Sequence, residues 1–152
     1  MTEHVFEGHW ITDSEFAALP PRHVFHRQLE KVDLPCNEHR DRHILFRRSF
    51  VLDKAPEQAL LYITADDYYK VHVNGSFAGQ GPAPAYCHRY NYNTLDITAL
   101  LRPGRNVLAV HTLYQGLINR VWVSGDDQHG LLCDLVADGE TVLASDESFL
   151  TR

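Results

Sequence analysis

An all-β antiparallel sandwich or jelly roll is the fold class this sequence predicts, and three observations predict it. Apolar and polar residues alternate with a period of two through residues 44–52, 58–65, 69–73 and 106–114, as half-buried strands require. Asn74-Gly75 and Asp138-Gly139 each sit between such runs, and both pairs tolerate the positive φ of a tight hairpin turn. Helical periodicity is confined to one short stretch, while glycine and proline punctuate the rest.

The totals set the outer limits. A chain of 152 residues with 44% hydrophobic and 22% charged content holds one domain with a real core, and is not generally disordered. A net charge of -6 with no basic block argues against a grip on nucleic-acid phosphates. No apolar run approaches the roughly 20 residues of a membrane span. Residues 1–10 lack the basic-then-apolar order of a signal peptide. Cys36, Cys87 and Cys133 cannot all pair within the chain, and no two have zinc-ligand spacing. Free thiols in a reducing, cytoplasmic compartment are the simplest account.

Taken in order, residues 1–42 read as an irregular extension packed on a sandwich formed by residues 43–152. Trp10-Ile11 is an apolar anchor, and residues 14–19 make one helical turn that Pro20-Pro21 ends. Val24, Phe25 and Leu29 are expected against the flank, and residues 37–43 form an exposed polar loop. The first strand places Ile44, Phe46, Phe50 and Leu52 on one side, with Arg48 the single break. A second strand covers 58–65. The hairpin follows, with Tyr69, Val71 and Val73 inward, a return at Phe77 and Ala78, and an irregular loop from Gly79 onward. Residues 82–92 are dense in aromatics. A short strand near 94–101 runs into the Pro103-Gly104 turn, and 106–114 is the clearest central strand. Val121-Trp122-Val123 precede a polar turn at 124–127; strands at 131–137 and 141–144 flank Asp138-Gly139. The chain stops at Arg152 as though cut inside a strand.

Three segments carry a family resemblance. They are Phe46-Arg47-Arg48-Ser49-Phe50, Ala65-Asp66-Asp67-Tyr68-Tyr69 with Val73-Asn74-Gly75, and the run from Gly79-Gln80-Gly81-Pro82 through Leu95-Asp96-Ile97-Thr98 to Leu101-Arg102-Pro103-Gly104-Arg105-Asn106. Together with Gly130-Leu131-Leu132 and Asp146-Glu147-Ser148-Phe149, they resemble the N-terminal domain of bacterial α-L-rhamnosidases. Phe149 stands where that family usually has tryptophan. The resemblance implies a galactose-binding-like β-sandwich, truncated here from a larger multidomain enzyme. In those enzymes it precedes an (α/α) toroid holding the acidic catalytic residues, none of which has a counterpart position in this chain.

The residues themselves agree with a noncatalytic reading. Glycoside hydrolysis needs two carboxyl groups about 5 to 9.5 Å apart across one bond. Asp66 and Asp67 are neighbours that extended chain would point to opposite faces, and Asp126-Asp127 has the same defect. Solvated or turn-capping roles are expected for both pairs. A carbohydrate site has better material. Tyr86, His88, Arg89, Tyr90 and Tyr92 offer rings for a sugar's C–H face and polar groups for its hydroxyls, and Arg120 and Trp122 add a cation and a large ring. Those rings would equally fill the sandwich end or cover a neighbouring domain. His39/His43 and His23/His26 lack the partners of a metal set, so neither metal nor cofactor is expected. His111 is expected to face inward, and Cys133 to be core.

The expected function is therefore a noncatalytic accessory domain of an α-L-rhamnosidase-like glycoside hydrolase. Its partners would be the catalytic domain of the same polypeptide and, through the aromatic loop, rhamnose-containing oligosaccharides. An autonomous carbohydrate-binding module is the alternative, and a self-contained hydrolase the third.

Overall fold

The structure, a computed structural model, describes residues 3–22, 39–85, 89–117 and 124–152. Among the described residues, nine strands form two antiparallel sheets. They are β1 (Arg42–Leu52), β2 (Ala59–Asp66), β3 (Tyr68–Val73), β4 (Ser76–Gly81), β5 (Asn93–Asp96), β6 (Gly104–Tyr114), β7 (Gly130–Ala137), β8 (Glu140–Ala144) and β9 (Leu150–Thr151). One sheet runs β4-β3-β6-β1-β9 and the other β5-β2-β7-β8. The predicted β-sandwich is the observed fold.

Alternation does what it predicts along each long strand. Ile44 and Phe46 on β1, Val71 and Val73 on β3, and Leu108 and Val110 on β6 are buried between the sheets. They meet Leu61 and Ile63 of β2 and Leu131, Cys133 and Leu135 of β7 across the core. Burying each such side chain contributes about 1.5 to 3 kcal/mol, the main term opposing chain entropy. Arg48 escapes the apolar side at its edge, where its guanidinium donates to the Ser148 carbonyl at 3.0 Å.

Both hairpin turns form as their sequences require. Asn74 and Gly75 have φ of 52° and 86°, and Asp138 and Gly139 have 51° and 87°, the paired positive values of a type I′ turn. The return strand β4 runs further than expected, through Gly81 instead of opening at Gly79. Gly79 and Gly81 pair with Val71 and Tyr69, and their missing side chains leave room for Leu95 and Asn93 of β5. A Cβ at Gly81 would stand 2.2 Å from the Asn93 side-chain oxygen, which accepts from the Tyr69 hydroxyl at 2.9 Å.

His111 corrects a second expectation. On β6 the inward positions are Asn106, Leu108, Val110, Thr112 and Tyr114, so His111 faces outward, where its Nε2 lies 2.9 Å from His43 Nδ1. Central position in a strand does not by itself bury a residue, because only alternate residues of this strand enter the core.

The N-terminal segment is a strap across the four-stranded sheet. Asp134, fully buried on the outer side of β7, accepts from the Glu7 and Gly8 amides at 2.7 and 2.9 Å and lies 2.9 Å from His4 Nε2. The His4 ring stacks flat on Tyr62, centroids 3.8 Å apart. His9 binds Ser145, and Ile11 bridges Leu131. Glycine is needed in this strap because a Cβ at Gly8 would lie 2.6 Å from the Ser145 hydroxyl. Beyond the strap, helix α1 (Ser14–Ala17) starts at an Asp13 cap whose carboxylate accepts from the Phe16 amide at 2.9 Å. The flank positions Val24, Phe25 and Leu29 lie outside the described residues, as do Cys36, Cys87 and the segment around Val121.

Candidate functional site

Polar chemistry gathers at the end of the sandwich where the chain crosses from β2 to β3. Asp66 is the last residue of β2 and pairs with Gly130; Asp67 follows, its amide donating to Leu113 of β6. These two residues therefore turn a corner between the sheets. Corner geometry overturns the expectation that their side chains diverge, since the two carboxyl groups hydrogen-bond each other. Asp67 also accepts from the Gln115 amide at 2.7 Å and from the Ser124 side chain. Asp66 accepts from the Tyr90 hydroxyl at 2.8 Å.

Asp126 and Asp127 close the site from the next loop, and they are not the solvated pair their sequence implies. Asp127 is 1% exposed and Asp126 7%. The Arg22 guanidinium reaches Asp127 at 2.5 Å, and its amide binds the Asp126 carbonyl. Turn-capping survives in part: Asp126 accepts from the Gln128 amide at 3.0 Å. Behind them, His129 bridges Thr112 and the Asp66 carbonyl, against the rings of Phe16 and Tyr114.

Burial decides the protonation of this cluster. Desolvation, reinforced by the neighbouring Asp67 charge, pushes the Asp66 carboxyl up to about 8. The same loss of water, with the Asp66 charge second, pushes Asp126 up to about 7. Asp67 rises by desolvation to about 6, held lower by the Gln115 amide. Both carboxyls of this pair are thus raised, by loss of water first, so the pair retains a proton well above the usual carboxylate range. Burial also pushes the His129 ring down to about 3, so it is a neutral hydrogen-bonding group at ordinary pH.

These carboxyls hold protons in the folded protein that the unfolded chain, titrating near 3.8, gives up. Between about pH 4 and pH 8 the native state binds more protons, so unfolding free energy falls as pH rises through that window. Asp66→Asn keeps a donor toward Asp67 and removes one titration. It is expected to flatten that decline and raise the unfolding midpoint at pH 8 by about 3 °C or more, as read by thermal melts from pH 5 to 8. An unchanged pH slope in the variant would refute the assignment.

The sugar-site residues expected from sequence divide unevenly. Tyr86, His88, Arg120 and Trp122 lie outside the described residues. Arg89 is exposed beside the cluster's loop. Tyr90 stands at the cluster itself, bonded to Asp66 and 4.8 Å from the ring of Trp10. Tyr92 is elsewhere: its hydroxyl accepts from the His4 amide and its ring packs on Phe6, making it part of the strap's seat. Sequence reasoning missed Trp10 as a neighbour of the loop and missed the buried acids. The available signal was four aspartates in two adjacent pairs, one in the segment between two predicted strands and one in a polar turn.

The hydrogen bond between Asp66 and Asp67 also limits chemistry. Directly bonded carboxyl groups lie closer than the roughly 5 Å minimum needed to straddle a glycosidic bond. What the cluster and its rings can do is accept hydroxyl donors beside an aromatic face. Among the described residues, no group of three histidine, cysteine or acidic side chains is arranged to hold a metal ion.

Comparison with known proteins places this geometry. The family model described as the α-L-rhamnosidase N-terminal domain matches residues 54–152. An α-L-rhamnosidase of Streptomyces avermitilis is 34% identical over 99 residues, which are 62% of this chain and 10% of that protein. The crystal structure of a GH78 family rhamnosidase from Bacillus sp. GL1 superposes with a TM-score of 0.69 at 37% identity, covering 74% of this chain and 12% of the other. A Pleurotus ostreatus lectin, solved with GalNAc, shares the fold at 19% identity and a TM-score of 0.54, over 95% of this chain and 34% of its own. The chain thus spans about a tenth of the length of the curated relative it matches.

Proposed function

Because the chain belongs to the α-L-rhamnosidase N-terminal domain family, we propose that it is a noncatalytic accessory β-sandwich of a longer glycoside hydrolase acting on α-L-rhamnosides. Its partner is then the catalytic part of the same polypeptide. The observation that carries this reading is the family match over residues 54–152, which spans the sandwich from β2 to β9; the adjacent Asp66 and Asp67 carboxyls, too close to straddle a glycosidic bond, agree with it. The small share of the relatives' length supports it further. The chain alone is expected to show no turnover of a chromogenic α-L-rhamnoside under conditions where a complete rhamnosidase is active. Turnover by the chain that is lost in Asp66→Asn or Asp126→Asn would place catalysis in this cluster and overturn the reading.

One observation favours a second role beside the first. Tyr90 and Trp10 set two rings next to the Asp66 carboxyl at the loop end of the sandwich, where sugar hydroxyls and a C–H face would both find partners. An autonomous carbohydrate-binding module would bind L-rhamnose or rhamnosylated oligosaccharides at millimolar affinity or better by calorimetric titration, and lose that binding in Tyr90→Ala and Trp122→Ala. Binding unaffected by both substitutions excludes this loop as the sugar site.

A further inference from the structure

The two outer faces of the sandwich differ in kind. The strap, residues 4–11, seals the four-stranded sheet through Asp134 and Ser145. The five-stranded sheet instead carries most of the large apolar side chains left in solvent: Leu45, Val51, Phe77 and Leu150 are each at least half exposed, at 50%, 71%, 57% and 70%. Register joins two of them in one row and sets a third in the row beside it. Leu150 pairs with Arg47, Arg47 with Ala109, Ala109 with His72 and His72 with Phe77, a single row across all five strands. Arg152, Leu45, His111 and Lys70 form the row beside it. Val51 and Arg105 extend the face along β1 and β6.

Its charge is as distinctive. None of the five strands contains an aspartate or glutamate, although the chain carries 20 acids against 14 lysines and arginines. Every strand of the other sheet contains at least one, at Asp66, Asp96, Asp134 and Glu140. Among the described residues, Arg47, Lys70, Arg105 and Arg152 make no ion pair. Five strands about 4.8 Å apart, the longest about 35 Å, present a footprint of about 600 Å², near the 800 Å² per partner of a standard interface.

We propose that the outer face of the five-stranded sheet is the docking surface of this domain, and that its occupant is an acidic, apolar-centred surface on the catalytic part of the same polypeptide. This rests on the accessory-domain reading. Charge selects the occupant. A second copy would set arginines and lysines against their own kind, which disfavours self-pairing. A polyanionic sugar chain would need flat rings to stack on, and the row offers only Phe77 set edge-on against the His72 ring at its β4 end, with Ala109, Arg47 and Leu150 making up the rest.

Hydroxyl-radical footprinting tests it on two samples: this chain, and the uninterrupted longer polypeptide that contains it. Leu45, Phe77 and Leu150 are expected to oxidise readily in the chain alone and about five-fold more slowly in the longer polypeptide. The R47E/K70E pair should restore fast oxidation at Phe77 and Leu150 there, while leaving the unfolding midpoint of the isolated chain unchanged. Equal oxidation in both samples overturns the proposal. So does protection in the isolated chain that grows with its own concentration, which marks a second copy, or that appears on adding polygalacturonate, which marks a polysaccharide. Rhamnoside turnover by the longer polypeptide, measured alongside, reports the accessory reading separately, so an active enzyme with an unprotected face refutes docking alone. A reading frame enclosing no longer polypeptide overturns both.

Discussion

Asn106→Ala is expected to lower the unfolding free energy by about 4 kcal/mol. Asn106 is fully buried at the start of β6, and its amide group meets four partners. Nδ2 donates to the Arg102 and Gly104 carbonyls at 2.7 and 3.0 Å, and Oδ1 accepts from the Arg102 amide at 3.1 Å and from Asn74 Nδ2 at 2.8 Å. Asn74 in turn donates to the Leu100 carbonyl and accepts from the Val107 amide. The two asparagines thereby lock the β3–β4 turn to the loop that feeds the central strand. Alanine leaves several of these groups unpaired in a site closed to water, each costing about 1 to 3 kcal/mol. Leucine should be no better, because the loss is of polar partners and not of volume. Aspartate would turn two donors into acceptors facing carbonyls. Urea unfolding of the single and double variants with Asn74→Ala should show costs well below additive, since the residues share one network. A loss under 1 kcal/mol for Asn106→Ala would show that water replaces the side chain.

Asp134→Ala should cost about 3 kcal/mol and release the strap. The carboxylate has no exposure and satisfies two backbone amides and the His4 ring at once. Hydrogen bonds to a charged acceptor are worth about 1.5 to 3 kcal/mol each, and the amides left behind face a closed surface. Residues 4–11 would then lift in preference to staying unpaired, and hydrogen exchange of the Glu7 and Gly8 amides should accelerate about a hundred-fold, the factor equivalent to roughly 3 kcal/mol. Core amides of β6 would keep most of their protection, because its ladder to β1 and β3 does not involve the strap. Equal acceleration in the strap and in β6 would mean the strap is not a separate unit.

Legibility differed by residue for physical reasons. Phe46, Val71 and Leu108 were readable as core because alternation in a half-buried strand is a local property. The Asn74-Gly75 and Asp138-Gly139 turns were readable because positive φ is a demand on two residues only. Asn74 and Asn106 were legible as members of a family pattern, but their mutual bond was not, since 32 residues separate them. At the candidate site, Tyr90 was named from its loop, yet its partner Asp66 reads from sequence as solvated or turn-capping. A carboxylate in a polar stretch reads as exposed unless something distant covers it.

Amphipathic period and turn chemistry, both written in neighbouring residues, determined the two-sheet sandwich, the hairpins and the identity of most core side chains. Tertiary structure alone decided where water is excluded. It buried Asp126 and Asp127 and half-buried Asp66 and Asp67 at one corner, sealed Asp134 beneath a segment with no periodicity, and turned His111 outward. Desolvation depends on what the rest of the chain brings to within a few ångströms, and that distance is not encoded in any local window.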